Sequence, residues 1–222
     1  MNGNEPGGSR ALAAWEIVAV STSTLAAEWV MLALADNRAL PHLFLVTTAF
    51  AFMLISHRVR GESAREVGWR LDNFWAAASL LLPVMAGTTA ILVGLGWYAG
   101  TLDFSRWEGG QSILGIPLLS LLWGPLQQYV LQGFVNRRAQ EALGRGWASV
   151  LLVGLLFAVF HLPNPWLTLA TFGAGLLWAF VYQRAPNLLA IGISHALMTW
   201  VLISCVPPAA LHNLRVGYKY LH

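Results

Sequence analysis

The composition of this chain is that of a membrane protein. Its 222 residues are 57% hydrophobic and only 10% charged, whereas soluble domains carry about 25% charged residues. The composition therefore excludes an ordinary soluble enzyme. The net charge of +3 is too small, and too scattered along the sequence, for the basic soluble surface that nucleic-acid binding needs. We expect an integral membrane protein with no nucleic-acid partner.

Apolar runs alternate with short polar breaks, which predicts an all-α, polytopic transmembrane helix bundle. About seven helices, within a range of six to eight, are predicted over residues 13–35, 41–56, 73–98, 113–135, 147–162, 166–183 and 187–206. We expect a disordered N-terminus over 1–12, one membrane domain over 13–206, and a tail over 207–222 that is disordered or lies on the membrane surface. The first helix is expected to be retained, because Glu16 and Glu28 interrupt its apolar run as no signal peptide would.

The distribution of Lys and Arg predicts the orientation. If seven helices alternate sides, nine basic residues fall on the side of the N-terminus and four on the opposite side. Cytoplasmic loops carry the excess of basic residues in most membrane proteins. We therefore expect the N-terminus to be cytoplasmic, together with the loops HRVRGESAREVGWR and NRRAQEALGR.

Five polar side chains lie inside apolar runs of the second half of the chain. They are Gln127, Gln128, Gln132, His161 and His195. Polar groups at membrane depth are costly and usually serve a function. Residues four apart share a helix face, which pairs Gln128 with Gln132 and His195 with Thr199. Pro125, which lacks a backbone N–H, predicts a kink just before the glutamines.

These residues belong to the strings QQYVLQG, FAVFH and HALMT, in that order. Their order and spacing over residues 113–206 resemble the CAAX prenyl protease and bacteriocin-processing (Abi-like) family of intramembrane endopeptidases. The signature of that family is Glu-Glu-x-x-x-Arg, then Phe-x-x-x-His, then His-x-x-x-Asn. The resemblance implies a hydrolase of a bacterial inner (plasma) membrane, in contact with membrane lipid, that acts on a membrane-anchored or prenylated peptide. Its catalytic positions correspond here to Gln127, Gln128, Gln132, His161, His195 and Thr199.

The chain departs from the signature at four of these positions. Gln127 and Gln128 replace the two glutamates, Gln132 replaces the arginine, and Thr199 replaces the asparagine. An amide orients water but cannot accept its proton near neutral pH. The substitutions remove all charge from the motif positions and leave the two histidines as the candidates for a general base.

Several functions are compatible with this pattern. The protein is either an active peptidase or an inactive pseudoprotease that binds or scaffolds a membrane peptide or lipid. A third alternative is a transporter, because the break HLPNP resembles an interrupted helix, and a fourth is that the polar cluster only joins helices. We expect no metal and no other cofactor, since the two histidines lack a third protein ligand. Glu28 is a mid-membrane carboxyl that is protonated, directed into a cavity, a displaced acid for the glutamine site, or a solvated or neutral group with no role.

Overall fold

The computed structural model describes residues 6–34, 39–107 and 116–222. Over these residues the chain forms helices and no β-strand, as the hydropathy pattern predicts. The long helices of this part of the chain are α1 (6–34), α2 (Ala39–Val59), α3 (Phe74–Tyr98), α4 (116–143), α5 (Trp147–Val159), α6 (Pro165–Arg184) and α7 (Leu188–Cys205). Each predicted apolar run therefore corresponds to one helix.

Four segments of the described residues are long and apolar enough to cross a bilayer. These segments are Ser9–Leu34, Phe74–Tyr98, Pro165–Arg184 and Leu188–Cys205. Leu43–Val59 and Trp147–Val159 are apolar but shorter than a typical span, which needs about 20 residues. The protein is thus an integral membrane protein with an all-α fold.

Two helix boundaries differ from the predicted ones. Helix α1 begins at Pro6, so residues 6–12, which we predicted to be disordered, are helical; residues 1–5 lie outside the described part. Helix α4 continues to Leu143, into the segment predicted as a basic loop. Its last turns read RRAQEAL, and Arg, Ala, Gln, Glu and Leu are all strong helix formers. Hydropathy marks where an apolar run ends, and this helix extends beyond that point.

Both α1 and α4 contain a π-helical segment. In α1 it covers Ala26–Met31 and includes Glu28. In α4 it covers Tyr129–Asn136, shortly after Pro125, and includes Gln132. The irregularity predicted near Pro125 thus takes the form of a widened helical turn. Such segments are rare in proteins as a whole, and those that occur are often found at functional sites.

The described residues divide into two compact units. The first contains those of Met1–Ser63, Phe134–Phe180 and Arg215–His222, and the second contains those of Ala64–Gly133 and Val181–Leu214. In the second unit α7 packs against α3 and against the first part of α4. In the first unit α1 packs against α2 and against the last turns of α4, Arg137–Leu143.

Ionic contacts hold the first unit together at one end of α1. Arg138, of which only 1% is exposed, pairs with Glu16 and with Glu62 at 2.8 Å each. Arg60 pairs with Glu16 and with Glu141 at 2.7 Å each. We call these five residues, together with Arg137, the arginine–glutamate cluster. Two basic residues that we expected in solvated loops therefore form ion pairs inside the first unit. Arg138 is itself buried, and Arg60 pairs with the buried Glu16.

Candidate active site

In the second unit, the α4–α7 contact brings Gln128 and His195 together. Gln128 is fully buried, and its amide Nε2 lies 3.0 Å from His195 Nδ1. Because an amide nitrogen only donates, Nδ1 is the acceptor, and the neutral imidazole carries its proton on Nε2. His195 is therefore fixed as a histidine whose Nε2–H is the donor.

This contact depends on two glycines where the helices cross. A Cβ on Gly192 of α7 would lie 2.7 Å from the Cα of Pro125, and a Cβ on Gly124 of α4 would lie 2.8 Å from the carbonyl oxygen of Gly192. Small residues let membrane helices approach closely. Both glycines lie one helical turn from the residues they bring together, Gln128 on α4 and His195 on α7.

The other candidates on these helices occupy different environments. Gln132 is fully buried in the π-helical turn of α4. Thr199 donates its hydroxyl hydrogen to the backbone carbonyl of His195 at 3.0 Å, and Gln127 is half-buried. Gln128 thus contacts the side chain of His195, whereas Thr199 contacts the backbone carbonyl of His195.

His161 belongs to the first unit, in the turn that follows α5. Its Nδ1 lies 2.7 Å from the carbonyl oxygen of Phe157, which is one of the last carbonyls of the helix. A carbonyl only accepts, so Nδ1 carries the proton and Nε2 keeps its lone pair. The ring also packs edge-on against the Phe157 ring, with centroids 4.7 Å apart. His161 is therefore fixed in the opposite tautomer to His195.

Asn164 holds the turn that carries His161. It is fully buried, its Oδ1 accepts from the Leu167 N–H at 3.2 Å, and its Nδ2 donates to the carbonyl oxygen of Arg215 at 3.1 Å. Our sequence analysis did not assign a role to this residue. The signal was the Asn-Pro pair at the start of α6, since an Asn before a Pro is typical of a helix N-cap.

Glu28 lies beside the same turn. Gly217 of the tail contacts both elements: its N–H donates to the Leu162 carbonyl at 2.8 Å, and a Cβ on it would lie 2.8 Å from the Glu28 carbonyl oxygen. The structure thus places Glu28 in the first unit, whereas Gln127, Gln128 and Gln132 belong to the second.

An apolar groove opens between residues of α1 and the end of α5. Its lining residues are Thr22, Leu25, Ala26, Trp29, Val30, Val159 and Leu162. Trp29 directly follows Glu28, and Leu162 directly follows His161. Neither Glu28 nor His161 itself lines this groove. Among the residues that the structure describes, no group of three or more His, Cys, Asp or Glu has the arrangement of a metal site.

Comparison with known proteins gives one match. Residues 109–201 match the family model described as type II CAAX prenyl endopeptidase Rce1-like. No curated protein and no solved structure matches the chain. The matched segment contains all six candidate residues of the motif strings, whereas Glu28 and the tail lie outside it.

Proposed function

We propose that this chain, which matches the type II CAAX prenyl endopeptidase Rce1-like model over residues 109–201, hydrolyses a membrane-associated peptide. The family suggests an intramembrane protease of the CAAX type. The assignment of catalytic roles to particular residues is our own proposal. The observation that carries it is the opposite tautomers of the two motif histidines, one with a free lone pair and one with a donor N–H on Nε2.

The base in this proposal is His161. Its Nε2 accepts a proton from water as the water oxygen attacks the peptide carbonyl carbon, and the same nitrogen returns the proton to the leaving amine when the C–N bond breaks. The bond from Nδ1 to the Phe157 carbonyl holds the tautomer that this requires. No motif glutamate is needed for the proton transfer.

His195 supplies a hydrogen-bond donor. With Nδ1 held by the Gln128 amide, its Nε2–H is suited to a developing oxyanion, and removal of such a donor typically costs a factor of about 10² to 10³ in rate. Gln128 fixes the tautomer of His195 in this proposal. Gln127, Gln132 and Thr199 orient water and substrate through their uncharged polar groups.

The test is cleavage of membrane-anchored peptides, prenylated and unprenylated, by the full chain in lipid vesicles. We expect cleavage by the wild type, a loss of at least about 100-fold for His161→Gln, and a loss of about 100-fold for His195→Gln. His212→Gln in the exposed tail is the matched control and should keep full activity. Equal activity in all four proteins would overturn the proposal.

A pseudoprotease is the second candidate, because amides stand at both motif positions where the family has glutamates. This candidate predicts that the wild type binds the peptide, as measured by photo-crosslinking, without cleaving it. It also predicts that the double variant Gln127→Glu with Gln128→Glu gains cleavage. Cleavage by the wild type that disappears in His161→Gln contradicts it.

The lipid environment and the orientation are part of the same proposal. We propose a bacterial inner (plasma) membrane with the N-terminus in the cytoplasm, supported by the excess of Lys and Arg on that side. Protease accessibility of tags fused to either terminus measures the orientation.

A further inference from the structure

We propose that Gly217 is a positioning residue for His161, and that the tail segment around it fastens the turn that carries His161 to helix α1. We call the segment 215–221 the clasp. The inference rests on the proposed function for its chemistry, because His161 is the base of that reaction. Its geometry is independent of that function and lies within the first unit. The clasp also lies outside the segment that matches the family model.

The turn that carries His161 has little regular structure of its own. It covers residues 160–164, between α5 and α6, and its backbone bonds span single turns: His161 N–H donates to the Ala158 carbonyl at 2.9 Å, and Asn164 N–H donates to the His161 carbonyl at 3.1 Å. Short turns open more readily than the helices that they join. The proposed base needs the bond from its Nδ1 to the Phe157 carbonyl, so this turn must stay closed.

The clasp holds the turn by two hydrogen bonds. The carbonyl of Leu162, the residue after His161, accepts from the Gly217 N–H at 2.8 Å. The side-chain Nδ2 of Asn164 donates to the Arg215 carbonyl at 3.1 Å, and Asn164 is fully buried. Both bonds reach the turn on the C-terminal side of His161. The tail, which we expected to be disordered or to lie on the membrane surface, is therefore part of the support of this turn.

The clasp also packs against α1. A Cβ on Gly217 would lie 2.8 Å from the carbonyl oxygen of Glu28 and 3.1 Å from its Cβ, and Gly217 has a φ of +57°. Glycine adopts positive φ without steric cost and lets two backbones approach closely. The short helix Tyr218–Leu221 follows at once and contacts Ala26–Met31 and Leu32–Leu34. Gly217 thus contacts the π-helical turn of α1 while its N–H holds the His161 turn.

The apolar groove shows what the clasp bridges. The groove is lined by residues of α1 on one side and by Val159 and Leu162 at the end of α5 on the other. Side chains that border an opening lack packing partners there. The groove therefore leaves α1 and the His161 turn partly apart, and the contacts of Gly217 with Leu162 and with the Glu28 backbone join them.

The position of the turn matters because a general base works only within hydrogen-bond reach of the proton that it takes. A displacement of about 1 Å, caused by a residue away from the chemistry, can cost about 100-fold in rate. Gly217 touches no reacting atom in this proposal and acts through Leu162. A Cβ at position 217 does not fit against the Glu28 carbonyl, so either the clasp or the turn must move.

The experiment combines NMR of labelled histidine with kinetics, on the full chain in lipid vesicles. In Gly217→Ala we expect the ring ¹⁵N signals of His161 to move from those of one fixed tautomer towards those of an imidazole that exchanges between both, because its turn is no longer held. Cleavage should show a kcat at least about tenfold lower, with little change in KM.

Gly100→Ala is the matched control. Gly100 also has a positive φ, of +66°, but a Cβ on it meets nothing within 4 Å. The substitution therefore introduces a similar backbone strain without a clash, in the second unit. It should leave the His161 signals and kcat as they are in the wild type.

Asn164→Ser tests the second bond of the clasp. Serine keeps an oxygen that can cap the start of α6, but it lacks the amide that donates to the Arg215 carbonyl. We expect the His161 signals to move in the same direction as in Gly217→Ala. If Gly217→Ala does not fold, the comparison of Asn164→Ser with the wild type decides the question, and unchanged His161 signals in the folded variant would overturn the inference.

The outcomes separate this inference from the proposed function. His161 signals that are the same in a folded Gly217→Ala and in the wild type overturn the clasp, whether or not the protein cleaves peptides. A lower Tm with unchanged His161 signals and kcat overturns it too, since Gly217 would then serve stability alone. His161 signals that depend on Gly217 in a protein that cleaves no peptide support the clasp and contradict the hydrolase.

Discussion

The two motif histidines differ in the group that contacts Nδ1. The acceptor on His161 is a backbone carbonyl at 2.7 Å, and the partner on His195 is a side-chain amide at 3.0 Å. A carbonyl at a helix end cannot be mutated away, whereas the amide of Gln128 can. The donor character of His195 is therefore the part of this arrangement that side-chain substitution tests directly.

Gln128→Met removes the amide and keeps the length of the side chain. An interhelical hydrogen bond in a membrane protein contributes about 0.6 to 2 kcal/mol, and Gln128 Oε1 is buried without a partner among the described residues, which offsets part of that gain. We therefore expect the free energy of unfolding to fall by at most about 1 kcal/mol. Cleavage should fall by at least about tenfold, because the His195 tautomer is no longer held.

The control for this variant is Ser194→Ala, which removes a buried hydroxyl of α7 that donates to the carbonyl of Ile191 in its own helix. It should change neither cleavage nor stability noticeably. A variant Gln128→Met that loses stability but keeps full activity would assign Gln128 to helix association alone.

The sequence predicts this site unevenly at the residue scale. The pairing of Gln128 with His195 involves motif residues, and both lie in apolar runs where polar groups need partners. The tautomer of His161 depends on its hydrogen bond to the Phe157 carbonyl near the end of α5. Predicting that bond requires knowing where the helix ends. The hydrogen bonds of Asn164 with Arg215 and of Gly217 with Leu162 join residues far apart along the chain, and no local periodicity predicts such contacts.

At the element scale, apolar runs predict helices well because a membrane helix must satisfy its own backbone. Hydropathy does not predict the end of a helix that continues beyond its apolar run, as α4 does over Arg137–Leu143. It also contains no signal for the π-helical turns that carry Glu28 and Gln132. The amino-acid sequence of these segments gives no local pattern that predicts a π-helical turn.

The crossing of α4 and α7 gives a prediction at this scale. Gly192→Ala would place a Cβ 2.7 Å from backbone and ring atoms of Pro125, so the helices must separate. Overpacking of this kind costs about 1 to 3 kcal/mol, and the separation breaks the contact of Gln128 with His195. We expect a lower Tm and a loss of cleavage, both measured on the purified protein.

Gly94→Ala is the matched control. A Cβ on Gly94 of α3 meets nothing within 4 Å, so the substitution should leave Tm unchanged or raise it, since Ala is favoured over Gly in a helix by up to about 1 kcal/mol. If Gly192→Ala and Gly94→Ala behave alike, the close approach of α4 and α7 is not what holds the site.

At the scale of the whole molecule, the few charged residues are distributed by function. The motif positions of the second half carry no charge, while the arginine–glutamate cluster of the first unit concentrates acids and arginines at low exposure. Burial alone would raise the pKa of Glu62, but hydrogen bonds from His57, Arg138 and Arg137 hold that pKa far below its ordinary value. Glu62 therefore stays ionised and compensates the buried Arg138.

Glu62→Gln should leave Arg138, which is 1% exposed, with Glu16 as its remaining carboxylate among the described pairs. Breaking a buried ion pair by removing one partner costs about 3 to 5 kcal/mol, so we expect Tm to fall by roughly 6 to 20 °C for a chain of this size. Asp72→Asn is the control, because its pairs with Arg65 and Arg70 are largely exposed and Tm should change little.

The pH dependence of this difference follows from the direction of the Glu62 shift. Its folded pKa lies below the unfolded value of about 4.3, so the stabilisation is fully present above that pH and is lost as the pH falls from there toward the folded pKa. The Tm gap between wild type and Glu62→Gln should be constant from about pH 7 to pH 5 and should narrow below about pH 4. Thermal unfolding followed by tryptophan fluorescence measures both proteins across this range. A gap that stays constant down to pH 3, or widens, would show that the ionised Glu62 is not what keeps Arg138 in place, and the cost of burying that arginine would then be met by Glu16 alone.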